Sequence, residues 1–399
     1  MTLVAAATTA EVLSRTWLIS SDSHVIEPPD LFTSRLPADL RDRAPKLESV
    51  GGGSAWVLDG LEPVALPRAA STGSGYRSSI RTNGKPISFG DVLPGVYDPA
   101  ERLKAQDSDS VDAEVLYASA DLWDAIRSLD DRDLKLACVR AYNDWIAEFS
   151  RHDPERLIGL GKIPATTCED AREELVRCVK ELNLRGVILD SWPAGGGAAD
   201  RDSDPFWEAV NETGVPVSLP YAVSAGRTAP PDGIAPGLKP PMADAAVPLV
   251  AAGVFDRFPG VRLVFAHGDA GWTFHWLEFM DINYIRHKHL DIYKLGDPDA
   301  LPSEYIRKHC WFTFHQDRPA VKYRGKVGVA NLLWASYFPG EESDWPDNRQ
   351  QAMRVTNEVS PVEQQALLAD NTARLYGLPG YEDGFAKAEL ETFEPFVHY

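Results

Sequence analysis

Eight short segments that read as strands, most of them separated by helix-like stretches, constrain this chain more than any other feature. They are Trp17–His24, Ala113–Ser119, Leu157–Ala165, Arg185–Trp192, Pro216–Tyr221, Val261–Gly268, Cys310–Gln316 and Asn331–Phe338. Most are rich in β-branched or aromatic residues and are bounded by Gly, Pro, Asp or Asn, the signature of strands. "VRLVFAHG" is nearly continuous in apolar residues, which suits a strand buried on both faces of a parallel sheet. Between them, "DLKLACVRAYNDWIAEFSR" repeats apolar residues at helical spacing through Leu134, Cys138, Tyr142, Trp145 and Phe149. "CEDAREELVRCVKELN" carries acids early and bases late, matching the helix dipole. "DPFWEAVNETG" opens on Asp-Pro, read as an N-cap before a first-turn proline, and closes on Gly214. Strand then helix, eight times over, predicts an α/β fold of the closed (β/α)8 TIM-barrel type. An open doubly wound sheet is the runner-up. No G-x-G-x-x-G follows the first strand, so a dinucleotide site has no support.

The 399 residues exceed the roughly 250 of a plain barrel, and the excess has a location. Residues 1–15, "MTLVAAATTAEVLSR", have no basic leader and read as a loose N-terminal arm. Residues 16–399 are assigned to the barrel, with 28–99 as a long insertion after the first strand. Its turn markers are "GGGSAW", "STGSGY" and "TNGKP". A connection of that length is usually a lid or a subdomain. Because it directly follows Asp22 and His24, it is expected to cover the barrel mouth. "PAGGGAAD" and "VSAGRTAPPDGIAPGLKPP" read as further loops of that face.

The net charge of −19 argues against nucleic acid, whose binders show a basic face, and against anionic membrane surfaces. No apolar run approaches the roughly 20 residues that span a bilayer. The four cysteines form no C-x-x-C pair and are expected to be reduced thiols of a cytoplasmic protein.

Chemistry in such barrels sits where strands end. The first strand ends Asp22-Ser23-His24, and period-two alternation sends Asp22 and His24 to the same side, into the barrel. A carboxylate and an imidazole there can hold a divalent cation or form a metal-free acid–base pair. Glu27 lies just beyond. The sixth strand ends in "FAHGDAGW", offering His267, and the seventh in "FTFHQD", offering His315. Trp123, Tyr221, Trp334, Phe338 and Trp345 suggest a small apolar or aromatic substrate. Glu27, Tyr221, His315, Trp334 and Trp123 are the candidate substrate contacts.

Longer stretches then carry a resemblance. "DSHVIEPPDLF", "YDPAERLKAQDSDSVDAEVLY", "FPGVRLVFAHGDAGWTFHWLEFMD", "LLWASYFPGEESDWPDNR" and "LLADNTARLYGL" resemble the amidohydrolase-related family that includes the aminocarboxymuconate-semialdehyde and dihydroxybenzoate decarboxylases. The resemblance runs from about Trp17 to Leu378. It implies a (β/α)8 barrel, often a homodimer, that binds one divalent metal and cleaves C–C or C–N bonds. A related branch includes a nonheme diiron monooxygenase. The family pattern puts metal ligands at the ends of strands one, five and eight and a His at the end of strand six. Asp22, His24 and His267 match. Pro220 stands where the fifth-strand His is expected, Tyr337 replaces the eighth-strand Asp, and Gly340 replaces the His that follows.

Proline cannot coordinate, and a phenol is a poor ligand beside a carboxylate. The preferred expectation is therefore an enzyme of lyase, decarboxylase, isomerase or cyclase type working without metal through Asp22, His24, His267 and Tyr337. The first alternative is a Zn, Mn or Fe enzyme, a hydrolase, decarboxylase or nonheme iron oxygenase. It would use Asp22, His24 and His267 as ligands, with Glu27, His315, Glu341 or Glu342 supplementing them. The second is a non-catalytic binding protein.

Overall fold

The structure, a computed structural model, describes residues 16–74, 77, 81–193, 200–220, 243–290 and 292–379. The predicted N-terminal arm, most of "PAGGGAAD" and all of "VSAGRTAPPDGIAPGLKPP" lie outside the described residues.

Eight parallel strands follow one another in chain order. They are β1 (Ile19–His24), β2 (Ala113–Tyr117), β3 (Leu157–Gly159 and Gly161–Lys162, interrupted at Leu160), β4 (Val187–Ile188), β5 (Val217–Pro220), β6 (Leu263–Ala266), β7 (Cys310–Phe314) and β8 (Leu332–Trp334). The first part of β3 pairs with β2 and the second with β4. Leu160 N–H bridges the break by donating to Leu116 O at 3.1 Å. The ring closes between β8 and β1. Ser21 Oγ donates to Trp334 O at 2.8 Å, Tyr337 N to Asp22 O at 3.0 Å, and His24 N to Phe338 O at 2.6 Å. The expected (β/α)8 barrel is the observed architecture.

The strands are shorter than their apolar runs. Trp17, predicted to open the first strand, is 54% exposed, and pairing begins at Ile19. The run Arg185–Trp192 continues past the ladder, with Leu189 N still donating to Ser218 O at 2.9 Å and Asp190, Ser191 and Trp192 half-buried beyond it. The helices are closer to expectation, at Arg132–Ser150, Cys168–Lys180 and Asp204–Thr213. One detail is corrected. Asp204 is the first helical residue after Ser203, and its carboxylate takes the Arg257 guanidinium at 2.9 Å instead of capping the helix. Gly214 does end that helix, in the left-handed conformation that glycine adopts without strain.

β1 carries an irregularity the sequence does not announce. Its pairing with β2 advances three residues, Ser20 to Ser23, against two, Glu114 to Leu116. In a regular strand, residues three apart face opposite sides. The bulge instead lets the Ser20 and Ser23 hydroxyls meet at 2.9 Å outside the barrel, with Asp22 and His24 turned inward.

After β1 come a short helix, Leu31–Arg35, and a three-stranded antiparallel sheet, Lys46–Val50, Gly53–Val57 and Val64–Ala65. Trp56 of this sheet packs edge-on against Phe32 at 5.6 Å, and Phe32 meets Trp123 at 6.3 Å. That aromatic row fixes the sheet over the helix Ala120–Ser128 that follows β2. All four cysteines are free thiols.

Candidate active site

Asp22, His24 and His267 converge at the C-terminal ends of β1 and β6. Asp22 is wholly buried. Its Oδ1 lies 3.4 Å from His24 Nε2, its Oδ2 3.7 Å from His267 Nδ1, and the two ring nitrogens are 3.5 Å apart. One ligand atom from each of the three residues falls within 4.8 Å of the others. His24 Nδ1 contacts the Ala118 carbonyl at 3.3 Å. A carbonyl only accepts, so Nδ1 carries the proton and a neutral His24 turns a bare Nε2 toward Asp22. Burial pushes the His24 pKa down and the neighbouring His267 adds to this, while the Asp22 carboxylate opposes it. Neither Asp22 oxygen has a hydrogen-bond donor. A buried carboxylate facing the bare Nε2 of His24 leaves two acceptors opposed, an arrangement that a cation between them stabilises.

The backbone around this centre is bent unusually. His267, Asp269 and Tyr337 have φ of 63°, 50° and 54°, half of the six non-glycine residues with positive φ among those described. Each such position costs about 1–2 kcal/mol and persists where surrounding bonds impose it. Here the bonds are identifiable. His267 N donates to Thr313 Oγ1 at 2.9 Å, the Asp269 carboxylate accepts His315 N at 3.1 Å, and Tyr337 N is held by Asp22 O.

A cavity of about 320 Å3 opens above the cluster. His24 and His267 form its floor. The insertion supplies Trp56, Val64, Leu66 and Pro67, Ser119 lines it together with Asp121 and Leu122 from the first turn of the helix Ala120–Ser128, and the loop after β8 supplies Pro339, Glu341 and Glu342. Glu342 Oε2 lies 3.7 Å from His267 Nε2.

The other candidates are placed differently. Tyr337 is fully buried beneath the cavity with its ring 4.4 Å from that of His267. Burial, with Asp269 and Asp22 nearby, raises its pKa well above the usual phenol value. His315 lies behind it, its ring 5.5 Å from Tyr337 and its Nε2 3.3 Å from Asp344. Glu27 turns away from the cavity. Its carboxyl accepts Ser119 N at 3.2 Å, Ser119 Oγ and Trp123 Nε1 at 2.7 Å. Trp123 anchors that contact, with Lys162 Nζ 4.8 Å from its ring. Trp334 is buried within β8. Tyr221 lies outside the described residues. Pro220 ends β5 opposite Ala266, and Gly340 N donates to Tyr337 O at 2.5 Å. Sequence reasoning did not single out Trp56, Val64, Leu66, Ser119 or Asp121. The first three lie about 35–45 residues from Asp22 in a stretch without periodicity.

The sequence matches the amidohydrolase family over residues 94–378, more than half of the chain. The chain belongs to the amidohydrolase family. This amidohydrolase is 26% identical, over 88% of its length and 91% of the relative's, to 2-amino-3-carboxymuconate-6-semialdehyde decarboxylase of Dictyostelium discoideum. Its fold matches an amidohydrolase of Mycobacterium avium subsp. paratuberculosis with a TM-score of 0.71 at 19% identity, covering 92% of this chain and 99% of that one. It also matches 5-carboxyvanillate decarboxylase of Novosphingobium aromaticivorans, solved with manganese and 4-hydroxy-3-methoxy-5-nitrobenzoic acid. That match has a TM-score of 0.62 at 16% identity, covering 93% and 98% of the two chains. No helix among the described residues is long and apolar enough to cross a membrane.

Proposed function

We propose that this amidohydrolase is a divalent-metal-dependent C–C lyase of the decarboxylase type acting on a small aromatic or unsaturated acid. Asp22, His24 and His267 would hold the cation. The observation that carries the reading is the Asp22 carboxylate, buried without a donor and opposed by two imidazoles. Three protein ligands suffice for a catalytic cation. A bound Zn, Mn or Fe would supply Lewis-acid polarisation of a substrate oxygen.

The remaining groups have separate tasks. Trp56, Val64, Leu66 and Pro67 present an apolar roof that suits a ring and excludes water. Glu342, against His267 Nε2 and facing the cavity, is placed to pass a proton to the substrate carbon that bears the carboxylate. Protonation there lets the C–C bond break, returns its electron pair to the ring and releases CO2. Tyr337 stays a neutral phenol and supports the His267 ring from below.

A metal-free acid–base enzyme is the second reading. Pro220 and Tyr337 favour it, since neither replaces the ligand expected at its strand end. The two readings separate when the protein, stripped by chelator and then reloaded with Mn, Zn or Fe, is offered a panel of hydroxybenzoates and carboxylated phenols. CO2 release that appears only on reloading supports the first. Turnover that survives chelation supports the second.

A further inference from the structure

Arg102 is entirely buried, although it lies on the helix Pro99–Asp109 outside the barrel. Its Nε donates to Glu114 Oε2 at 2.5 Å, and its Nη1 donates to the His24 carbonyl at 2.8 Å and to Gly95 O at 3.3 Å. The guanidinium carbon sits 4.7 Å above the Phe338 ring. Glu114, on β2, takes Gln106 Nε2 at 2.9 Å and Ser23 Oγ at 3.0 Å. Ser23, lodged between Asp22 and His24, meets Ser336 Oγ at 2.8 Å, and Ser336 N donates to Ser20 Oγ at 2.9 Å. One buried network thus grips β1 on either side of its bulge and ties it to the chain leaving β8.

We propose that Arg102, acting through Glu114 and the Ser20, Ser23 and Ser336 hydroxyls, is a positioning residue that sets how Asp22 and His24 face His267. It would thereby fix the coordination geometry of the cation. The inference rests on the metal-binding reading above. Bulk stability is a weak explanation for the pair, because replacing a buried ion pair with well-packed apolar residues is often neutral or stabilising. Geometry is the stronger one. The guanidinium holds the carbonyl of one ligand residue directly. Its partner carboxylate holds the residue between the two ligands of β1. Supporting shells of this kind govern metal affinity.

The test uses full-length protein freed of metal and titrated with Co2+, whose visible absorption reports coordination geometry. The double variant R102M/E114L keeps the volume apolar, and S336A removes one hydroxyl while leaving both charges. The expected result is that R102M/E114L melts near the wild-type temperature but binds Co2+ about 10–100-fold more weakly with an altered spectrum. S336A should move the same way by a smaller factor. A folded R102M/E114L with wild-type affinity and spectrum overturns the inference. If that variant does not fold, S336A with unchanged affinity and spectrum overturns it. Wild-type protein that takes up no Co2+ defeats the metal-binding reading itself and this inference with it, an outcome distinct from a failure confined to the variants.

Discussion

Asp22 places Oδ1 3.4 Å from His24 Nε2, and neither oxygen of that carboxylate receives a hydrogen bond. If the pair exists to hold a cation, D22N should weaken Mn2+ or Zn2+ binding by more than the about 10–100-fold that loss of a supporting contact costs. The fold should survive, since no donor is stranded. Isothermal titration of metal-free protein checks this, and affinity within threefold of wild type would contradict it.

Tyr337 contacts His267 but does not line the cavity, and its phenol is held protonated. Y337F is therefore expected to leave metal affinity nearly unchanged and to change stability by no more than about 1 kcal/mol, since removal of one hydroxyl leaves the ring packing in place. A large loss of turnover in folded, metal-loaded Y337F would instead make the hydroxyl a proton donor.

Trp56 is 2% exposed, packs on Phe32 and roofs the cavity. Truncation to alanine should cost about 3–5 kcal/mol by denaturant unfolding, the usual figure for a buried tryptophan. Ligand affinity should fall even at temperatures where the variant is folded. A loss below about 1 kcal/mol would mean that the insertion folds independently of its contact with the barrel.

Asp109 supplies a pH signature away from the site. Burial raises its pKa from 3.8 to about 6, against the opposing effect of hydrogen bonds from Asn348. The folded state then binds the proton more tightly than the unfolded one. This group's contribution is full below about pH 3.8 and is lost as pH rises through about 6. Relative to D109N, wild type should lose on the order of 2 kcal/mol between pH 4 and pH 7. A difference that does not change with pH would contradict it.

Much of this was legible in the chain. Strands such as β6, Leu263–Ala266, and β8, Leu332–Trp334, are wholly apolar, so their runs stand out, and Asp22 and His24 announce themselves as an acid and an imidazole two residues apart at the end of β1. Other features depend on contacts between distant segments. The β1 bulge is set by Ser20, Ser23, Glu114 and Ser336, which no window of sequence brings together. Glu27 and Trp123 looked like substrate contacts because a buried acid and an indole suit that role equally well. Only their mutual bond shows that they satisfy each other. The left-handed backbone at His267 and Tyr337 carries no glycine to mark it. Pro220 and Tyr337 were read as evidence against metal from residue type alone. The opposed acceptors of Asp22 and His24, with His267 beside them, are a matter of geometry.

The most direct test of the account is metal stoichiometry. Wild-type protein, purified without chelator from medium supplemented with Mn, Zn and Fe, should carry about one equivalent of a divalent metal by plasma mass spectrometry, as a single site of three protein ligands requires. D22N and H24Q, prepared alongside, should carry far less. Wild-type protein with no bound metal after purification, and none taken up on titration, would contradict the central claim and leave Asp22 and its two histidines as an acid–base cluster.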